Sequence, residues 1–387
     1  MSPWRQLGAL ALFTVALAVV PPAAVAQTAP APPPGPDPAV TLPERQEEML
    51  PPVTPFPEEG RQDKPPAADS VAPPTGEFSP FTNPAGGLSP LFSPTVGHTP
   101  FRADYRVTWW PEEPVAGQPT RLGYEQQDFS VSFPLWQNAT DEWSASAHVR
   151  SEIFQTPAIL PDTRQPFPDD LWSIRFGATY RHLFDNGWTG GATVSVGSAS
   201  DRPFAGIDEM TAGVNAFLRV PQGEHNAWLF SLSYSSNSQL PIPIPGVAYV
   251  WQPSDCFRAN IGLPLLIMYR PWDDVTLDFS YMLLTTVHAR ATYRLCAPLR
   301  VYAAYDWENE SYLPVDRPNQ DDRLFYYDQR VTAGLLFFLN GHLSFDLSSG
   351  YVFDRFYFEG RQLGDSHQNR IDVGNGPFVS FQSQLRW

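Results

Sequence analysis

Beyond about residue 100 the chain alternates between apolar and polar positions, segment after segment. Phe129, Val131, Phe133 and Leu135 interleave with Asp128, Ser130, Ser132 and Pro134. Trp143, Ala145, Ala147, Val149 and Ile153 interleave with Ser144, Ser146, His148, Arg150 and Glu152. Trp172, Ile174, Phe176, Ala178 and Tyr180 do the same against Ser173, Arg175, Gly177, Thr179 and Arg181. The pattern returns at Met210–Arg219, Val275–Tyr281 and Val287–Leu295. A period of two places the apolar members of a segment on one face of a strand and the polar members on the other.

The alternation predicts strands over 103–110, 123–135, 142–155, 171–184, 187–200, 207–220, 226–236, 246–252, 256–263, 265–271, 274–282, 286–295, 298–310, 323–339, 342–358 and 377–387. Their connections alternate in length. Short ones fall near Asp185-Asn186-Gly187, Pro221-Gln222-Gly223, Pro253-Ser254-Asp255, Trp272-Asp273-Asp274, Ala297-Pro298 and Asn340-Gly341. Long ones fall near 111–122, 156–170, 200–207, 236–245, 311–323 and 359–376. The strands of 246–282 are short for a bilayer span, so Pro264 and Leu284-Thr285 must be tight turns for this count to hold. If they are irregularities inside longer strands, the number drops by two and stays even.

A soluble β-sandwich would also alternate. Two features favour a membrane barrel instead. Aromatic residues gather at segment ends, at Trp109, Trp110, Trp172, Trp188, Trp251, Trp272, Trp307, Tyr326 and Tyr351, as the girdles of a barrel do at the lipid interfaces. The alternation of short turns with long loops is the second. The expected fold is all-β: a transmembrane, antiparallel, up-and-down β-barrel of about 14–16 strands over residues 101–387. It would sit in outer-membrane lipid.

The N-terminal hundred residues differ in kind. Arg5, the uncharged apolar run Leu7–Val20 and the small residues around Val25 read as a signal peptide over 1–26, cut after Ala26. Residues 27–100 are Pro-rich, as in Ala31-Pro32-Pro33-Pro34, and offer few core-forming side chains. Such a segment cannot offset its ordering entropy, and it reads as a disordered linker in the periplasm. It would serve as a tether, or contact a periplasmic or cell-wall component. The net charge of −16 argues against nucleic acid as a partner. Cys256 and Cys296 are the two cysteines. The predicted strand order sets them three strands apart, roughly 14 Å, where a disulfide needs Cα atoms within about 7 Å. Both thiols are therefore expected to be free.

The chain stops on alternating apolar Val379, Phe381, Leu385 and Trp387, with Gln382 where a Gly is usual. This resembles the C-terminal signal that the barrel-assembly machinery reads by strand addition, with Phe381, Leu385 and Trp387 as its apolar face. The stretch from Pro245-Gly246-Val247-Ala248-Tyr249, through Gly262-Leu263-Pro264, to Val287-His288-Ala289-Arg290 resembles an uncharacterised outer-membrane β-barrel family, a domain of unknown function. The resemblance would span roughly residues 100–387; it implies fold and location and brings no activity.

No motif implies catalysis, a cofactor or a metal. His148, His182, His225, His288 and His342 are scattered, and none is joined to a nucleophilic Ser as a membrane-embedded hydrolase would require. Asp316 to Asp322 lacks calcium-loop spacing and reads as a solvated outer loop. The remaining clue is the polar face. Arg150, Arg175, Arg181, Arg219, Arg290, Arg294 and Arg300 are expected to line a lumen with Asp128, Glu152, Asp278, Asp306, Glu308, Asp346 and Asp354. Opposed rows of charge would border a water-filled constriction in a passive, porin-like channel for small solutes. Arg–carboxylate pairs would instead knit the lumen shut. The width of such a barrel favours the channel. A structural barrel that attaches envelope layers through the Pro-rich arm is the alternative.

Overall fold

A computed structural model of the chain describes residues 96–238, 240–282 and 286–387. The signal peptide expected over 1–26, all but the last five residues of the linker expected over 27–100, and the turn expected at Leu284-Thr285 lie outside the described residues.

The described strands are β1 (Arg102–Pro114), β2 (Arg121–Gln137), β3 (Asp141–Gln155), β4 (Asp170–Leu183), β5 (Thr189–Ser200), β6 (Met210–Gln222), β7 (Asn226–Ser235), β8 (Ile244–Ser254) and β9 (Phe257–Gly262). They continue as β10 (Leu265–Trp272), β11 (Val275–Met282), β12 (Thr286–Cys296), β13 (Leu299–Tyr312), β14 (Arg323–Phe338), β15 (Leu343–Gly360), β16 (Ile371–Val373) and β17 (Gly376–Arg386). From β1 to β16 each pairs antiparallel with the next, and β17 returns to pair with β1. The three-residue β16 pairs only with the outer end of β15, and β15 also pairs directly with β17. Leaving β16 aside, sixteen staves close into a barrel. Phe101 and Trp387 exchange backbone hydrogen bonds of 2.8 and 2.9 Å at the seam.

The sixteen expected strands are these staves. Pro264 falls in a tight turn, since Leu266 pairs with Asn260 across it. Gly262 has φ of +145° there, and a Cβ on it would lie 2.0 Å from the Val247 carbonyl oxygen. Only glycine permits that approach. At the end opposite the long loops, asparagines fold the turns. Asn138 Oδ1 accepts from the amides of Thr140 and Asp141, and Asn340 Oδ1 accepts from those of His342 and Leu343, at 2.7 to 2.9 Å. Asn side chains mimic a backbone turn in this way. Cys256 and Cys296 are free and exposed.

The outer wall is apolar. Phe129, Phe176, Val194, Val214, Phe230, Leu277, Leu335, Leu347 and Phe381 are all exposed. So continuous an apolar band on a closed wall, whose strands pair with neighbours all the way round the ring, is what hydrocarbon requires. Trp109, Trp188, Trp251, Trp272 and Tyr351 stand outward at its margins. Trp110 and Tyr326, also expected in the girdle, are instead 1% and 3% exposed and point inward. Trp109 and Trp110 are adjacent, so in a pleated strand they must face opposite ways. The chain is an outer-membrane β-barrel.

The wall is uneven. β13, β14 and β15 run 14, 16 and 18 residues, whereas β9, β10 and β11 run 6, 8 and 8. The outer end is also drawn together. β5 and β13 stand eight staves apart, on opposite sides of the ring. Even so, the amide of Leu313, just past β13, donates to the carbonyl of Ala199 in β5 at 2.6 Å. The mouth is thereby divided into two lobes.

Candidate functional site

The first lobe lies between β1–β4 and β14–β17 and is packed. Inward residues at the outer ends of the staves are large and apolar here: Trp110, Leu122, Tyr124, Phe154, Tyr312, Leu324, Tyr326, Tyr357 and Phe378, joined by Leu160 and Phe167 of the β3–β4 loop and by Ile371 and Val373 of β16. Rings stack across strands that are not neighbours. Phe154 and Phe167 both meet Tyr357 edge-on, with centroids 5.9 and 4.9 Å away. Each such side chain withdrawn from water contributes about 1.5–3 kcal/mol. The lobe is packed as a protein core.

Beneath this core lie the charges. Arg150 Nε donates to Asp128 Oδ1 at 2.7 Å, and its Nη1 bonds Glu310 of β13 across the lumen. His148 Nε2 lies 3.3 Å from the same Asp128 oxygen. Arg330 bridges Glu308 and Asp328, and Asp328 accepts from the Tyr326 hydroxyl at 2.7 Å. The Tyr326 and Tyr124 hydroxyls are 3.0 Å apart. Farther round, Arg290 lies over the Tyr302 ring, 3.5 Å from its centroid, and 3.7 Å from Asp346. The Tyr302 hydroxyl donates to Asp346 at 2.8 Å. That ring occupies the space a side chain at Gly334 would need. His288 bonds Asp306.

The expected lumen residues therefore separate. Arg290, Asp306 and Asp346 line a cavity of about 140 Å³ between β11–β15, β17 and β1. Arg150 and Arg175 line a larger one in the second lobe. Glu152, 1% exposed, lies in the packed lobe. Arg181 pairs with Glu142 at 3.4 Å, and Arg294 pairs with Asp274 at 3.1 Å beside a short turn. Arg219 shares a strand face with buried Phe217. Asp278 is 4% exposed and stands opposite Arg290 in register. Asp354 leaves the expected set. A bulge between β14 and β15 gives it φ of +51°, and its carboxylate accepts from Gln329 on the exposed side. The extra residue hands its inward place to Arg355, 2% exposed, because one inserted position exchanges the two faces. Phe381, Leu385 and Trp387 are exposed on the outward face of β17, and Gln382, where Gly is usual, accepts from Arg106 at 3.0 Å.

The outer loops brace this arrangement. Arg317, in the β13–β14 loop, is buried and donates to Glu209 at 3.3 Å, to the carbonyls of Pro314 and Asp208 at 2.7 and 3.0 Å, and to that of Gln320 at 3.1 Å. Asp316 bonds Arg202, and Asp321 and Asp322 lie 3.2 and 3.7 Å from Arg361. Asn369 joins the loop after β15 to the β3–β4 loop through Asp162 and Thr163.

The second lobe, along β4–β9, holds a cavity of about 390 Å³. Its wall is built of small polar residues, Ser173, Ser195, Gly213, Asn215, Ser231 and Ser233. Neither the packed lobe nor this division was evident in the alternation. The signal lay in Leu122, Tyr124, Phe154 and Tyr312, apolar residues on the polar face at strand ends.

No family profile matches the chain, and no curated protein matches its sequence. The resemblance at 245–290 therefore adds nothing to the fold. Among solved structures, the barrel is similar to an outer membrane channel from Pseudomonas putida F1 at 8% identity and a TM-score of 0.34, covering 75% of this chain and 96% of that one. It is similar to the Pseudomonas putida toluene transporter TodX at 8% identity and 0.34, covering 74% and 90%. It is also similar to a Pseudomonas aeruginosa FadL homologue at 11% identity and 0.32, covering 74% and 89%. Likenesses this distant carry no inference about what the chain does.

Proposed function

We propose that this barrel is a passive channel for small solutes, with its path confined to the second lobe. The supporting observation is the asymmetry of the lumen. One lobe is filled with aromatic side chains. The other keeps a cavity of about 390 Å³ against a wall of Ser, Gly and Asn. Charged side chains border the path without filling it. Arg150 and Glu310 pair across the lumen and set its edge.

Single-channel recording on the full chain in a planar bilayer tests the reading. Stepwise conductance is expected, and Asn215→Trp, which places an indole in the lobe, should sharply reduce it. A folded barrel that passes neither ions nor uncharged solutes would overturn the proposal. A structural barrel is the second reading, favoured by the packed lobe and the interlocked outer loops. In that case deletion of residues 27–100 would loosen the envelope while permeability stayed the same.

A further inference from the structure

The larger cavity has two unlike flanks. On one, β3 and β4 contribute His148, Arg150 and Arg175. On the other, the outer ends of β8, β9 and β11 and their loops contribute Ile242, Ile244, Leu263, Pro264 and Met282. The lining also holds two carboxylates, Glu308 and Glu310, and both are engaged, by Arg330 and Arg150 respectively. Arg150 is shared further with Asp128. Arg175 differs from these. It lies on the inward face of β4 and has an exposed side chain and no ion-pair partner among the described residues. Its register neighbours are His148 on β3 and Gly197 on β5, neither a carboxylate.

A guanidinium facing a cavity offers five donors in a planar fork suited to carboxylate, sulfonate or phosphate oxygens. The apolar flank offers nothing to such a group. It does offer a surface from which an aliphatic or aromatic body would displace water. A cavity of this size falls in the range that encloses a small organic molecule. The wall between the flanks includes the small, uncharged Ser195, Gly213, Asn215, Ser231 and Ser233, and both flanks border the one cavity.

From this juxtaposition we infer that the second lobe binds small amphipathic anions, with the anionic group on Arg175 and the apolar body against Ile242, Ile244, Leu263 and Met282. This deepens the channel reading by naming the class of solute. It rests on the same lobe being open to solvent.

The test uses benzenesulfonate, which is ionised at all working pH values and so cannot cross lipid as a neutral acid. Its binding to the full chain, folded in detergent, is measured by isothermal titration calorimetry. Benzyl alcohol, benzyltrimethylammonium and inorganic sulfate serve as comparisons. Saturable one-to-one binding of benzenesulfonate is expected, with each comparison at least about tenfold weaker, because one charged hydrogen-bonded contact or one apolar face is missing. Arg175→Gln should weaken benzenesulfonate by about tenfold and leave benzyl alcohol unchanged. Arg175→Lys should restore part of the loss. Ile242→Ser, in an exposed loop where folding is not at stake, should weaken benzenesulfonate and leave sulfate unchanged.

Equal binding by wild type and Arg175→Gln, each showing the heat-modifiable gel mobility of a folded barrel, would overturn the inference. So would tighter binding of benzyltrimethylammonium than of benzenesulfonate. Calorimetry needs no current. Binding without conductance would sink the channel and keep the site, and conductance without binding would do the reverse.

Discussion

Arg317 offers the sharpest probe of how the outer mouth is held. Its side chain is 2% exposed and that of its partner Glu209 is 6% exposed. The guanidinium makes four hydrogen bonds, three of them to carbonyls of its own loop or of the segment before β6. Arg317→Ala removes all four and strands a buried carboxylate. Breaking a buried pair in this way costs about 3–5 kcal/mol. The bonds tie loops to each other and do not belong to the strand ladder, so the cost should appear as local opening. At about 1.4 kcal/mol per tenfold, even 3 kcal/mol raises the open population by about a hundredfold. Hydrogen exchange read by mass spectrometry on the full chain measures this directly. The amides of Leu313 and Val315, bonded to Ala199 and Asp201, should exchange about a hundredfold faster in the variant. Peptides from β14 should not change. Replacing both partners by apolar residues, Arg317→Met with Glu209→Leu, should recover most of the protection, because no charge is then left buried. Unchanged exchange at Leu313 in Arg317→Ala would refute the view that this pair closes the mouth.

Gly334→Ala should destabilise the folded barrel by about 1–3 kcal/mol, seen as a lower midpoint in urea, since the added carbon would fall 2.4 Å from the Tyr302 ring. Leu277→Arg places a cation on the outward face of β11, where Leu277 is 39% exposed, and should cost up to about 2–4 kcal/mol in vesicle-refolding titrations if the site lies near mid-bilayer. A null effect would mean that this face does not meet hydrocarbon.

The sequence by itself determined the wall. Period-two alternation assigned Phe129, Val131 and Phe133 to one face and Asp128, Ser130 and Ser132 to the other, and the barrel places them so. This was legible because the constraint is local. A strand with lipid on one side and a lumen on the other cannot slip by one residue without turning every apolar side chain inward. The turn at Asn340-Gly341 was legible for the same reason, whereas the one at Asn138 was not among the expected turns.

The tertiary structure alone decided what the lumen is. The sequence pattern sets Tyr326 in the outer girdle, and alternation cannot say that its hydroxyl meets that of Tyr124 at 3.0 Å across 202 residues of sequence. Nor can it show that Leu313 reaches Ala199 from the opposite side of the ring, or that a bulge replaces Asp354 with Arg355 on the inner face. These depend on closure of the cylinder, which brings distant segments together by their position around the ring. Charges that read as opposed rows along the chain become pairs once closure fixes which strands face each other. The same closure leaves Arg175 without an ion-pair partner among the described residues, beside the larger cavity.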